Sequence, residues 1–225
     1  MRCMISTCIL IVFNSALNAE EPDVAAETAV VEKITKLGGE AFVEVKLEPS
    51  ARVQATFPAA TDALLLSLSK LPNLGALIVS DGTKMTDKGY AYLRELPNLQ
   101  RLNLTKPTLT EKSLTVMGGL RTLQVLYLGE AKIGEPTLAG LKPLKNLREF
   151  DLFECKLGDK CLANLSELPA MESLNLSGNP TISDTGILAF EKSTKLKLLK
   201  ATRTNVTAAG ARKLEEAKPG LVVRY

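Results

Sequence analysis

The sequence predicts an α/β solenoid, with parallel strands on a concave face and short helices on a convex one. Three observations predict it. An apolar triplet recurs at intervals of 25, 24, 24, 24 and 25 residues. Behind it, in constant register, comes another apolar residue followed in most units by a hydroxyl or acidic side chain. Aromatics make up only 4% of the 225 residues and Trp is absent, so Leu, Val, Ile and Ala must fill the core. No unit of this length buries its own leucines. Stacked units do, strand on strand at about 4.8 Å. Seven or eight strands then give an arc roughly 35 Å long.

In chain order, Arg2 supplies a thin positive start, Met4 to Phe13 a short apolar run, and Leu17-Asn18-Ala19 a cleavage site ending on a small residue. Residues 1–19 therefore read as a signal peptide, and export (periplasmic or secreted) follows from cleavage near Ala19. The apolar run is shorter than the about 20 residues that span a bilayer, so the mature chain is expected to carry no transmembrane segment. Residues 20–51 read as a helix–strand cap. Val30, Val31, Ile34 and Leu37 fall on helical spacing within Ala25–Leu37, Gly38-Gly39 stops the helix, and Phe42, Val43, Val45 and Leu47 suggest a strand. Such a cap covers the open apolar end of a stack.

Residues 52–225 hold the repeats. Val53, Ala55 and Phe57 form an irregular first strand, and Thr61-Asp62 opens a helix through Leu68. The triplets begin at Leu74, Leu99, Leu123, Leu147, Met171 and Leu196. Their second members are Leu77, Leu102, Leu126, Phe150, Leu174 and Leu199, and their third Val79, Leu104, Leu128, Leu152, Leu176 and Ala201. The second half of each unit starts at Met85, Leu109, Ile133, Leu157, Ile182 and Val206. Hydroxyl or acidic residues after these positions suit helix caps and the positive helix end. Short helices follow, carrying Leu93, Leu114, Leu138 with Leu141, Leu162 with Leu165, Ile187 with Phe190, and Leu214. Lys218-Pro219-Gly220 ends the last of them, and Leu221 to Val223 adds a final strand.

These units resemble leucine-rich repeats, whose period range they match. Thr86-Asp87-Lys88-Gly89 and Ser183-Asp184-Thr185-Gly186 look like the turns of a short bacterial, planctomycete-like type akin to the cysteine-containing subfamily. The resemblance covers residues 52 to 225 and implies a right-handed horseshoe or arc. In that family an Asn or Cys follows the strand. Here the position holds Gly82, Pro107, Ala131, Cys155, Asn179 and Thr204, so only two units conform. A looser stack is expected at Pro107 and Ala131.

Composition excludes several chemistries. A net charge of +3 is too mild for a nucleic-acid track. The absence of His removes the commonest general base and the commonest zinc ligand. No cofactor or metal is expected. Of four Cys, Cys3 and Cys8 leave with the signal. Cys155 and Cys161 read as buried small residues, with a disulfide across the turn as the alternative. Glu149, Asp151 and Glu154 are the densest acidic set. They read as a solvated strand face, with a glycosidase-like pair as a remote alternative. Gly118-Gly119 lacks the Lys-Ser/Thr of a phosphate loop. Lys195, Lys197, Lys200 and Arg203 form a basic cluster that reads as solvated, with attraction of an acidic partner as the alternative. Sequons at Asn103, Asn164, Asn175 and Asn205 matter only in a eukaryotic secretory pathway.

Period-2 alternation sends the residues between the buried anchors to the concave side. The candidate binding set there is Arg101, Asn103, Tyr127, Glu149, Asp151, Phe153, Asn175 and Lys200. Tyr127 and Phe153 on neighbouring strands, flanked by charge, resemble the anchors of an interface. The sequence thus points to a non-enzymatic module that binds a protein and no nucleic acid. A cytosolic recruitment module of the ubiquitin-ligase type is the alternative, and would need an upstream adaptor-binding domain. A carboxylate-dependent hydrolase is a remote third reading.

Overall fold

The computed structural model describes residues 24–43, 51–71, 73–133 and 138–225. The signal segment, Val45 and Leu47 lie outside them. At one end, helix α1 (Val24–Lys36) buries Val30 and Ile34. It stops on Gly38, whose φ of +82° suits glycine. There Gly38 N–H donates to Thr35 and Gly39 N–H to Ile34, a Schellman closure. Strand β1 (Glu40–Val43) then runs antiparallel to β2 (Val53–Phe57). A buried Glu27–Arg52 pair, 3.9 Å apart, ties α1 to the start of the stack.

From β2 onward every neighbour in the main sheet is parallel. The strands β3 (Leu74–Val79), β4 (Arg101–Leu104), β6 (Val125–Tyr127), β8 (Glu149–Asp151), β9 (Ser173–Asn175), β10 (Leu198–Lys200) and β11 (Val222–Arg224) follow in spatial order. Eight parallel strands are paired this way, with β1 added at the edge. All eighteen triplet residues of the six regular units are buried. The register keeps like positions together, with Leu77, Leu102, Leu126, Phe150, Leu174 and Leu199 forming one file. The core is thus a continuous column behind the sheet, closed by α2 (Asp62–Leu68), α3 (Asp87–Tyr92), α4 (Glu111–Gly118), α5 (Asp159–Leu165), α6 (Asp184–Ile187) and α7 (Ala208–Ala217).

Two expectations are corrected. The stack is not loosened at Pro107 and Ala131. Beyond these turns β5 (Thr108–Leu109) pairs with β7 (Lys132–Ile133) in a second, two-stranded sheet, and Lys132 N–H donates to Pro107 at 2.9 Å. Backbone pairing there supplies what an Asn side chain would otherwise give. Leu138 and Leu141 are buried as expected, but they sit on a single 3-10 turn, Leu138–Leu141.

Asn179 shows what the conforming position does. It is fully buried and its amide donates to Leu152 at 2.9 Å and Leu176 at 2.8 Å, while its oxygen accepts Leu157 N–H at 2.9 Å. Cys155 makes a smaller version of this bridge, donating its thiol to Leu128 at 3.0 Å.

The helix starts are joined into a ladder. Thr61, Thr86, Thr110, Ser183 and Thr207 each cap their own helix through a side-chain oxygen. Where a helix opens with Asp, that Asp turns to the next unit instead. Asp62 accepts Thr86 N–H at 2.9 Å and its hydroxyl at 2.6 Å. Asp159 holds Ser183 at 2.8 and 2.6 Å, and Asp184 holds Thr207 at 2.8 and 2.7 Å. A Cβ on Gly89, Gly186 or Gly210 would fall inside these carboxylates. Glycine in this turn is therefore room for the preceding unit's Asp. At Ser113 the ladder adapts. Its hydroxyl takes Thr110 N–H at 2.8 Å, leaving Asp87 only the Thr110 hydroxyl at 2.6 Å.

Candidate functional site

The side chains of the strand face stand in rows fixed by the register. One row runs Gln54, Ala76, Arg101, Val125, Glu149, Ser173, Leu198, Val222. The next runs Thr56, Ile78, Asn103, Tyr127, Asp151, Asn175, Lys200, Arg224. All eight residues of the candidate set lie on this face, Phe153 just beyond the end of β8. Two shallow open depressions mark it, the first between Ala76, Ile78, Asn103, Val125 and Tyr127.

The structure divides the set into groups already engaged with one another. Tyr127 is half-buried and donates its hydroxyl to Glu149 Oε2 at 2.9 Å. Burial, and then that bond, push its phenol up to about 12. Asp151 accepts Phe153 N–H at 2.9 Å and the Asn175 amide at 2.7 Å, and Asn175 accepts Ser177 N–H at 3.0 Å. Glu149 and Asp151 are thus held by different partners.

Phe153 gains its setting from a column that the alternation does not reveal. Two or three residues after β4, β6, β8, β9 and β10 a residue turns left-handed: Lys106, Glu130, Glu154, Gly178 and Arg203, with φ from +54° to +75°. For a side-chain-bearing residue this costs about 1–2 kcal/mol, and the N–H bonds of the turns offset it. Lys106 donates to Gly129, Glu130 to Phe153, Glu154 to Ser177 and Gly178 to Thr202. Gly178 has no side chain, so Arg203 reaches across it to Glu154 at 3.0 Å. On the way its guanidinium lies 5.1 Å from the Phe153 ring centroid. On the other side of Phe153, the space where a Gly129 side chain would stand is open. Phe153 therefore has one cation-covered side, and the surface at Gly129 beside it is open. The signal for this was Gly178 in a column otherwise built of charged residues.

Cys155 and Cys161 are both buried free thiols, so the disulfide alternative is not realised in the structure. Burial pushes the Cys155 thiol up to about 12, far from a thiolate. The basic cluster also separates. Lys197 and Arg148 clamp Glu172 at 2.7 and 2.6 Å, holding its carboxyl below the usual range, chiefly through the Lys197 bond. Among the described residues no group of three or more His, Cys, Asp or Glu is placed to hold a metal, and no helix is long and apolar enough to cross a membrane.

Parallel strands in one register, backed by short helices and stacked at a 24–25-residue period, define a leucine-rich-repeat solenoid. A family model described as a leucine-rich repeat matches residues 169–190, the unit holding Asn179 and the Ser183-Asp184-Thr185-Gly186 turn. A comparison with curated proteins gives no match. Among solved structures, the chain is similar to an internalin (InlF) from Listeria monocytogenes, with a TM-score of 0.47 and 16% identity. That alignment covers 74% of this chain and 57% of the internalin chain.

Proposed function

We propose that the chain is a non-enzymatic binding module that holds a protein partner on its concave strand face, centred on Tyr127 and Phe153. The observation that carries this is a pair of half-buried aromatic rings on neighbouring strands, with the surface at Gly129 left open beside them. Partly exposed aromatic anchors flanked by charge are what interface hot spots use. The rows are fixed by backbone pairing and by side-chain bonds such as Asn175–Asp151, so binding orders few groups. We also propose export of the chain after cleavage near Ala19, on the strength of the apolar run from Met4 to Phe13.

The test is quantitative capture of partners by wild type and by Tyr127→Ala with Phe153→Ala, read by mass spectrometry. A convex-face variant, Lys112→Glu, serves as the control. Specific partners should fall by roughly tenfold or more in the aromatic variant alone. Unchanged capture of every partner removes the site. Finding Glu20 as the mature N-terminus in an exported fraction supports the export proposal, and an intact Met1 there overturns it.

A further inference from the structure

The cations crowded near the end of the sequence are not equivalent in the fold. Lys197 belongs to Glu172 and Arg203 to Glu154. Two others face the concave side in direct register, Lys200 on β10 and Arg224 on β11. Among the described residues neither makes an ion pair. Their row offers no remedy. The adjacent Asn175 has given its amide to Asp151 and its oxygen to Ser177 N–H. Asp151 stands two strands from Lys200, about 10 Å by strand spacing, which is a Debye length at 0.1 M salt. Like charges directly opposite weaken a sheet, so this pair costs the isolated chain stability. In the neighbouring row, Leu198 and Val222 are also in register, and Val222 is 50% exposed. Tyr225, which follows, is 56% exposed. The end of the sheet therefore presents two cations beside an apolar shelf.

We propose that this patch docks an extended acidic segment of a protein partner. A carboxylate of that segment bridges Lys200 and Arg224, and an adjacent apolar side chain rests on Leu198 and Val222. A carboxylate suits both cations, and relieves the repulsion between them. A nucleic-acid backbone fits poorly. Such proteins use roughly 6–10 phosphate contacts, and an apolar shelf contributes nothing to a phosphodiester. The patch is three strands from Tyr127 and stands independently of the aromatic centre.

Fluorescence anisotropy on the full chain tests it, with a fluorescein-labelled peptide of alternating Glu and Leu. The comparison probes are an alternating Glu/Ser peptide, an alternating Lys/Leu peptide and a single-stranded oligonucleotide. The Glu/Leu peptide should bind, and roughly tenfold tighter than Glu/Ser because one buried Leu is worth about that factor. Lys200→Glu with Arg224→Glu should weaken it at least about tenfold. Lys192→Glu with Lys195→Glu, the same charge change away from the patch, should weaken it less than about twofold. Tyr127→Ala with Phe153→Ala should leave it unchanged, which separates this inference from the preceding one. Lys200→Glu alone creates an attractive pair with Arg224, so it should lose the peptide while Tm rises by about 1–2 °C. That rise excludes misfolding as the cause of lost binding. No binding of the Glu/Leu peptide at low salt, equal loss in the control pair, or preference for the oligonucleotide or the Lys/Leu peptide overturns the proposal.

Discussion

Cys155 is a residue whose chemistry is decided by its place in the period. The spacing put it inward, after the strand, and it is 1% exposed there. What spacing alone did not show is the bond it makes, a thiol donated to Leu128 in the preceding unit. That acceptor lies 27 residues back in the chain, beyond any local pattern. Its raised pKa has a consequence with a definite sign. Between the ordinary thiol value of 9.0 and about 12, the unfolded chain releases this proton while the folded chain keeps it. The stabilisation is therefore complete below pH 9 and is lost as pH rises through that window, with a slope approaching about 1.4 kcal/mol per unit. Urea unfolding at pH 8, 9 and 10 should show wild type losing stability faster than Cys155→Ala. Parallel profiles for the two proteins contradict the assignment. The burial that raises this pKa also argues for a part in the fold over a part in catalysis.

At the scale of the element, the turn that resembles Thr-Asp-x-Gly has two jobs split between neighbouring units. The hydroxyl as helix cap was legible, because a cap is a local pattern. The Asp was read as serving its own helix, whereas in the structure it serves the next helix, 23–24 residues on. The reason for the glycine came only with the neighbour in place. Gly186→Ala should cost about 1–3 kcal/mol, because its Cβ displaces Asp159 from Ser183. Asp159→Ala should cost a similar amount, and the double variant less than the sum, since both remove one interaction. Additive losses in chemical denaturation show that the two residues act separately.

For the whole molecule, the buried column was legible from six triplets at constant spacing, and so was the list of side chains on the strand face. Which of those side chains remain available was not legible. Alternation says that Asp151 and Asn175 share a face, but not that they are bonded, nor that Arg203 spans Gly178 to reach Phe153. Such facts depend on which units become neighbours and on reach across a missing side chain. The linear arrangement also predicts unequal effects from equal lesions. Leu126→Ala, in the middle of the column, should lower global stability by about 2–5 kcal/mol. Leu214→Ala, on α7 at the end, should chiefly reduce hydrogen-exchange protection in α7 and β11 while the central strands keep theirs. Equal loss of protection along the whole chain after Leu214→Ala contradicts this linear picture.

The forward reach of the Asp ladder gives the chain a grammar for recombination. Where a helix opens with Asp, the matching turn of the following unit carries Gly or Ser: Asp62 precedes Gly89, Asp87 precedes Ser113, Asp159 precedes Gly186, and Asp184 precedes Gly210. Where the aligned residue in the sequence is Glu, the follower is bulkier, with Glu111 before Thr137 and Glu135 before Cys161. Units are consequently not interchangeable bricks. Duplicating the Cys161 unit behind the Asp184 unit would drive a sulfur-bearing side chain into a carboxylate, whereas duplicating the Gly186 unit behind itself makes a junction of the Asp–Gly type already present. Growth of this array by copying its own segments is thus steered by the joints between them.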